Sequence, residues 1–153
     1  MNQFKLSIIK LSTRANVTNK NIFETTIPVL VNHLNYGNHL GYDSILSILQ
    51  EARIRWLKSI DKNASEINIQ DNIGWLVKKV ELDILSEAFH GDILSVSLFV
   101  DEYKKSHFTL QYDVENIDKK NKLCQSKTQQ VCYDFESEKI SRIPKILMDI
   151  FEN

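Results

Sequence analysis

The helical stretch that follows Gly41 constrains the fold of this chain more than any other part of the sequence. Its apolar residues are spaced so closely that they cover most of a helix circumference: Ile45, Leu46, Ile48, Leu49, Ala52, Ile54, Trp56 and Leu57. A helix with this pattern is a buried helix. We therefore expect the rest of the chain to wrap around it, with Asp43 or Ser44 as its N-cap.

The sequence beyond this helix alternates between apolar and polar residues, which is the pattern of β-strands. Short polar joins separate the alternating runs, which cover residues 74–85, 92–103, 106–116 and 122–135. Successive strands with short joins predict an antiparallel meander.

The segments at the two ends of the chain complete the prediction. Residues 3–11 predict a strand and residues 13–21 a loop. Residues 23–34 are rich in β-branched side chains and predict a strand, which Pro28 assigns to a sheet edge or a bulge. Residues 146–151, after Pro144, predict a closing helix.

These elements predict an α+β fold in which a long buried helix is wrapped by a curved antiparallel sheet. The chain has 153 residues and contains no Pro/Gly-rich linker or internal repeat, so we expect one domain over residues 1–153.

Composition excludes several classes of function. The formal net charge is -1 and the lysines are scattered, so nothing favours nucleic acid or an anionic membrane as a partner. Lys5, Ser7 and Lys10 interrupt the N-terminal apolar residues, which is unlike a signal peptide, and no run is long enough to span a bilayer. A cytoplasmic location is the default expectation.

Two cysteines, Cys124 and Cys132, lie eight residues apart, which is not the spacing of a metal-ligand pair. We expect them to be small buried residues in a reducing compartment, and we predict no metal site.

The segment between the predicted strand and the helix has strong turn chemistry at Asn35-Tyr36-Gly37-Asn38. It leads into the N-terminus of the helix. Free backbone amides and the positive end of the helix dipole make such a position suitable for stabilising an oxyanion.

This entry into the helix resembles that of the hotdog-fold acyl-CoA thioesterases, the 4-hydroxybenzoyl-CoA thioesterase-like superfamily. The family pattern reads roughly D-x-x-G-H-V-N-N-x-x-Y and ends in E-A-R or a similar tripeptide. The resemblance extends over nearly the whole chain and is carried by Asn35-Tyr36-Gly37-Asn38-His39-Leu40-Gly41-Tyr42, Glu51-Ala52-Arg53, Ala88-Phe89-His90-Gly91-Asp92 and Ile143-Pro144.

The resemblance implies a hotdog fold and hydrolysis of an acyl-CoA or acyl carrier protein thioester to a free acid and a thiol. It implies no separate cofactor, because coenzyme A is part of the substrate. It also implies a homodimer in which two sheets join edge to edge and two helices lie side by side, or a homotetramer of such dimers. The acyl thioester would lie at the subunit boundary.

The resemblance also implies roles for individual residues. The amide of Tyr42 falls at the oxyanion position, and glycine at position 41 lets the backbone approach a ligand closely. The usual aspartate of the family maps onto Asn35, which is neutral and a poor base, although it can orient a water or bind the thioester oxygen. Asp43 and Glu51 are the two candidate replacements, and spacing does not choose between them.

Each of these residues has an alternative interpretation. His39 either hydrogen-bonds the thioester carbonyl or holds the turn. Asp43 is a catalytic carboxylate or a helix cap, and Glu51 is a catalytic carboxylate or the partner of Arg55 in an ion pair. The residues expected to contact substrate are Tyr36, Gly37, Asn38 and Gly41, with packing over the turn as the alternative for Tyr36.

Asn35 also motivates a second hypothesis, a non-catalytic hotdog protein that binds an acyl thioester or serves as a structural partner. A dehydratase of the same fold is less favoured, because its usual His/Glu or His/Asp helix motifs are not clearly present.

Overall fold

A computed structural model describes residues 15–153. The predicted strand at residues 3–11 lies outside them. The elements are β1 (Asn16–Pro28), a short 3-10 helix (Val31–His33), α1 (Tyr42–Ile60), β2 (Ile73–Ile84), β3 (Ile93–Tyr103), β4 (His107–Asn116), β5 (Asn121–Asp134), β6 (Lys139–Ile140) and α2 (Lys145–Glu152). The fold is α+β, with a six-stranded antiparallel sheet.

The order of the strands differs from the predicted meander. The sheet runs β1-β3-β4-β5-β2, and β6 pairs with β5. Strands β3 to β5 are a meander, but β2 pairs with β5, from Ile73 opposite Asp134 to Ile84 opposite Cys124. The place beside β3 is taken by β1. The alternation of apolar and polar residues shows which side chains face the core, but it does not show which strand pairs with which. This part of the prediction was therefore wrong.

The first strand begins and ends earlier than expected. Residues 16–21 were predicted as a loop but belong to β1, where their polar side chains suit an edge strand that faces solvent. Pro28 ends the strand, because proline has no amide hydrogen for the ladder. The chain then enters the 3-10 helix, so the strand predicted up to residue 34 was also wrong there. The edge position inferred from Pro28 is confirmed.

Helix α1 has 19 residues and one buried face. The predicted burial around most of its circumference was wrong for the single chain, because the sheet covers one side and Tyr42 and Leu46 stay exposed on the other. The N-cap is Gly41, not Asp43 or Ser44, since the carbonyl of Gly41 already accepts a hydrogen bond from the amide of Ile45. The buried residues of α1 are Ile45, Ile48, Leu49, Ala52, Arg53, Trp56 and Leu57.

The core lies between α1 and the inner face of the sheet. Trp56 on α1 stacks on Trp75 of β2, with 6.0 Å between the ring centroids. The rings of Trp75 and Phe108 on β4 form a T-shaped pair with 5.5 Å between their centroids. Cys124 and Cys132 are free and buried, as predicted. Burial raises the pKa of each thiol to about 12, and nearby Asp113 contributes to the shift at Cys124.

Strand β2 keeps apolar side chains exposed on the face that carries the core. Val80 lies opposite the buried Thr128, and Ile84 lies opposite the buried Cys124, so both belong to the inner face of the sheet. Yet Val80 is 44% exposed and Ile84 is 53% exposed. Helix α1 lies closest to β1 and β3, and it leaves the part of β2 that carries Val80 and Ile84 uncovered.

Among residues 15–153, no helix is long and apolar enough to cross a membrane.

Candidate active site

Residues 34–41, which we term the site turn, form a closed loop before α1. Leu34 and Leu40 are joined by a β-bridge. Inside the loop, the amide of Asn35 donates to the carbonyl of His39 at 2.8 Å, and the amide of Asn38 donates to the carbonyl of Asn35 at 3.0 Å. Asn38 has φ 60°, a left-handed conformation that asparagine tolerates better than most residues. The turn chemistry predicted for this segment is confirmed.

The side chain of Asn35 is oriented by the backbone of the turn. Its Oδ1 atom accepts hydrogen bonds from the amides of Gly37 at 2.9 Å and His39 at 3.4 Å. Backbone amides only donate, so the oxygen must face them and the Nδ2 group must face away. Within residues 15–153 that Nδ2 group has no hydrogen-bond acceptor, so it is free to donate to a ligand.

The N-terminus of α1 begins directly beside this side chain. The amide of Gly41 donates to the carbonyl of His33 at 3.1 Å. The amides of Tyr42, Asp43 and Ser44 belong to the first turn of the helix, where intrahelical acceptors are lacking. The positive end of the helix and its free amides are thus next to Asn35.

Gly41 allows two polar side chains to converge at this point. A Cβ atom at position 41 would lie 3.3 Å from Cβ of Asn35 and 2.5 Å from Oδ1 of Asp43. The second distance is too short for any side chain at position 41 while the Asp43 carboxylate stays in place. Asn35 and Asp43 therefore converge on the same backbone position.

His39 packs over the site turn and faces the connection between β2 and β3. Its Nε2 atom is 3.9 Å from Oε1 of Glu87, and its side chain is 34% exposed. The next amide, of Leu40, donates to the carbonyl of Ala88 at 2.8 Å. These contacts join the site turn to the β2–β3 connection, and they leave Nε2 of His39 near solvent.

Glu51 and Tyr36 lie apart from this cluster in the single chain. Glu51 pairs with Arg55 at 2.7 Å, and Arg55 also donates to the carbonyl of Thr26 on β1. Glu51 lies nine positions after Tyr42 along α1, or about 13.5 Å at 1.5 Å per residue. The side chain of Tyr36 is fully exposed.

The β2–β3 connection is held next to the site turn by Asp92. Its Oδ2 atom accepts hydrogen bonds from the amide of Phe89 at 2.9 Å, from Nδ2 of Asn116 at 2.9 Å and from Nζ of Lys119 at 3.1 Å. Burial alone would raise the pKa of Asp92, but these three donors together hold it below its ordinary value. The Gly91-Asp92 pair of the family turn is thus a structural anchor.

The burial of a charged side chain, that of Arg53, was not predicted from the sequence. Arg53 is 5% exposed and lies on the inward face of α1. Its Nε atom donates to Oε1 of Glu66, which also accepts from Nε1 of Trp75 at 3.2 Å. Although burial alone would lower the pKa of Arg53, Tyr112 and Glu66 raise it, so the guanidinium stays charged. An arginine within an apolar helical stripe was the available clue.

A cationic cavity of about 430 Å³ lies at the other end of the sheet. Lys104, Lys105 and Arg142 line it together with apolar residues, and its described lining contains no carboxylate. It opens where Asn16 pairs with Tyr103, whereas the site turn follows the end at which Pro28 pairs with Ile93. These two ends of β3 are about 33 Å apart, at roughly 3.3 Å per residue.

Comparison with known proteins identifies a family that this chain matches. A model of the thioesterase-like superfamily matches residues 29–151, which include the site turn, α1 and all of β2 to β5. No curated protein matches the chain in sequence.

Several solved structures share the fold at low sequence identity. A 1,4-dihydroxy-2-naphthoyl-CoA thioesterase of Synechocystis is 20% identical with a TM-score of 0.76, over 86% of this chain and 96% of that one. A Staphylococcus aureus protein solved in complex with CoA is 16% identical with a TM-score of 0.75, over 90% and 85%. A protein of Aquifex aeolicus is 19% identical with a TM-score of 0.74, over 84% and 98%.

Proposed function

The chain belongs to the thioesterase-like superfamily, and from that premise we propose that it hydrolyses an acyl thioester of coenzyme A, or of an acyl carrier protein, to a free acid and a thiol. The observation that carries the proposal is the position of the α1 N-terminus. Its free amide at Tyr42 directly follows Gly41, the position on which Asn35 converges. Asn35 belongs to a turn whose backbone is fixed by its own hydrogen bonds.

The chemistry of the reaction suits this position. Attack on a thioester carbonyl places negative charge on its oxygen, and preorganised N–H donors lower the energy of that state. The Tyr42 amide supplies such a donor together with the helix dipole. A carboxylate is needed to activate water or to attack the carbonyl, and Asp43 and Glu51 are the candidates on α1. The reaction needs no bound cofactor, because coenzyme A enters with the substrate.

The β2 edge supports a homodimer as the functional unit. Val80 and Ile84 are exposed on the inner face of β2, and within residues 15–153 no strand pairs with its outer edge. Pairing β2 with β2 of a second copy would satisfy the edge and cover these side chains. The opposite edge strand, β1, is less suitable, since it is irregular between Val17 and Lys20 and ends in Pro28.

The cationic cavity lies on the β1–β3 side of the sheet, away from the β2 edge. It is lined by Lys104, Lys105 and Arg142. Their charge suits the phosphates of coenzyme A. The Staphylococcus aureus protein in complex with CoA supports coenzyme A as the carrier.

The proposal is tested by thiol release from a panel of short, long and aromatic acyl-CoAs. The chain suits a thiol-reagent assay, because its two cysteines are buried and the pKa of each thiol is raised to about 12. We expect turnover above background for at least one acyl class. If no member of the panel is hydrolysed faster than the uncatalysed control, the proposed function is wrong.

A second candidate function is the binding of an acyl thioester without hydrolysis, and Asn35 is the observation that favours it. A binding protein would be stabilised against heat by a non-hydrolysable thioether analogue of acyl-CoA and would leave the matching thioester intact. An enzyme would show both the stabilisation and the turnover.

A further inference from the structure

We propose that Asp43 is the carboxylate that activates water in this site, and that Asn35 acts as a second hydrogen-bond donor to the thioester oxygen. This inference rests on the proposed thioester hydrolysis. It assigns the two polar side chains that meet at Gly41 to opposite halves of the reaction, one as a proton acceptor and one as a donor.

The assignment of Asn35 follows from its hydrogen bonds. Its Oδ1 is held by the amides of Gly37 and His39, at 2.9 and 3.4 Å. An aspartate in the same place would use one oxygen for those amides and present the other as an acceptor. Asparagine presents Nδ2 at that second position and therefore donates. The turn is preserved, but the polarity of the group that faces a ligand is reversed.

The assignment of Asp43 follows from its place in the first turn of α1. Its Oδ1 atom occupies the space beside Gly41 that a Cβ atom would need, 2.5 Å from that position. The carboxylate is thus turned back toward the helix N-terminus and toward Asn35. It is exposed, and within residues 15–153 it forms no salt bridge and accepts no hydrogen bond from another side chain. A carboxylate that is near the oxyanion donor and unpaired is available as a base.

The other carboxylates near the site are engaged elsewhere. Glu51 pairs with Arg55 and lies about two and a half helical turns away, at 3.6 residues per turn. Glu87 faces His39. Asp92 is held by three donors in the β2–β3 connection. Of these groups only Asp43 combines proximity to the Tyr42 amide with a free carboxylate.

The proposed step conserves charge and atoms. The Asp43 carboxylate accepts a proton from water as the water oxygen forms a bond to the thioester carbon. The carbonyl π electrons move to the oxygen, where the Tyr42 amide and Nδ2 of Asn35 donate hydrogen bonds. When the intermediate collapses, the C–S bond breaks and the leaving sulfur takes the proton from Asp43. The products are a carboxylic acid and a thiol.

The test is an exchange of the two side chains, measured as kcat/KM and KM with the best acyl-CoA of the panel. Asp43→Asn should lower kcat/KM by at least about 100-fold, the usual effect of a general base, with little change in KM. The double variant N35D/D43N moves the carboxylate from position 43 to position 35, which also converges on Gly41, and should recover at least about tenfold of that loss. Asp61→Asn, at the far end of α1, removes a helix-terminal carboxylate and should leave kcat/KM unchanged.

The pH dependence of kcat/KM is a further test, because a residue with a purely structural role would not change it. Asn35→Asp alone puts two carboxylates against Gly41, and their repulsion should raise the apparent pKa of the acidic limb of kcat/KM. Thermal unfolding of every variant shows whether a loss of activity reflects loss of the fold.

Three outcomes would overturn the assignment. The first is a folded Asp43→Asn variant with wild-type turnover. The second is a loss of turnover that follows Glu51→Gln or His39→Asn instead. The third is a folded double variant that recovers nothing. A wild-type protein with no turnover at all overturns the proposed function together with this inference, and is recognised before any variant is made.

Discussion

The Nε atom of Arg53 donates to Oε1 of Glu66 at 2.5 Å and thereby ties the buried face of α1 to the connection that leads into β2. Arg53 is almost fully buried, whereas the side chain of Glu66 is 27% exposed. The pair brings together one residue of the helix and one of the following loop. It holds α1 on the sheet near Trp75, whose Nε1 donates to the same carboxylate oxygen.

We expect Glu66→Ala to destabilise the fold by about 3 kcal/mol, because it leaves the guanidinium of Arg53 buried without its ionic partner. Urea unfolding at pH 7 measures the change. Glu51→Ala removes a partner from the exposed pair with Arg55 and should cost about 1 kcal/mol or less. If the two variants lost the same free energy of unfolding, the buried pair would contribute no more to stability than the exposed pair.

Gly41→Ala should impair the site more than it impairs the fold. Its Cβ atom would lie 2.5 Å from Oδ1 of Asp43, so the carboxylate must move away from the helix N-terminus. Alanine is also a poorer N-cap than glycine, at a cost of up to about 1 kcal/mol. We expect a loss of kcat/KM of tenfold or more with a small drop in Tm. Gly41→Ala/Asp43→Ala should recover part of the Tm but none of the activity.

Asp92 should contribute stability that is lost in acid. Its folded pKa is held below the ordinary value, so the ionised form favours the folded state. The contribution is present above the unfolded pKa of about 3.9 and disappears as the pH falls through the folded pKa. Asp92→Asn should therefore be less stable than wild type at pH 7, and the difference should shrink at pH 3.

The measurement is the free energy of unfolding in urea at both pH values. Asp118→Asn, in the β4–β5 turn that also carries Lys119, removes an exposed carboxylate and should change little at either pH. If Asp92→Asn lost as much stability at pH 3 as at pH 7, the charge of Asp92 would not explain its role, and the shape of its side chain would.

Val80→Glu should dissociate the proposed dimer. The new charge would be buried on the inner face of the joined sheet, where the two β2 strands meet, and we expect the dissociation constant to rise about 100-fold. Light scattering over a range of concentrations reports the change. Val17→Glu is the matched control, since Val17 on the opposite edge strand is 74% exposed. If Val17→Glu dissociated the dimer and Val80→Glu did not, the interface would lie at β1 and not at β2.

The elements of the fold could be predicted because their patterns are local. The ends of β3, β4 and β5 fall within about one residue of the alternating runs. The site turn was predicted from Asn35 to Asn38, whose chemistry favours a turn in most surroundings. The start of β1 was missed because edge strands tolerate polar residues, and there the pattern resembles a loop.

The amino-acid sequence by itself determined the helix after Gly41, the period of the strands and the neutral side chain at position 35. The tertiary structure decided that α1 buries one face, that β2 lies beside β5, and that Asn35 and Asp43 meet at Gly41. The physical reason is the range of the interactions. Helix and strand periods depend on residues a few positions apart, whereas the β2 edge depends on pairings such as that of Ile84 with Cys124. The helix that first constrained the fold is thus half exposed, with the proposed chemistry at its N-terminus.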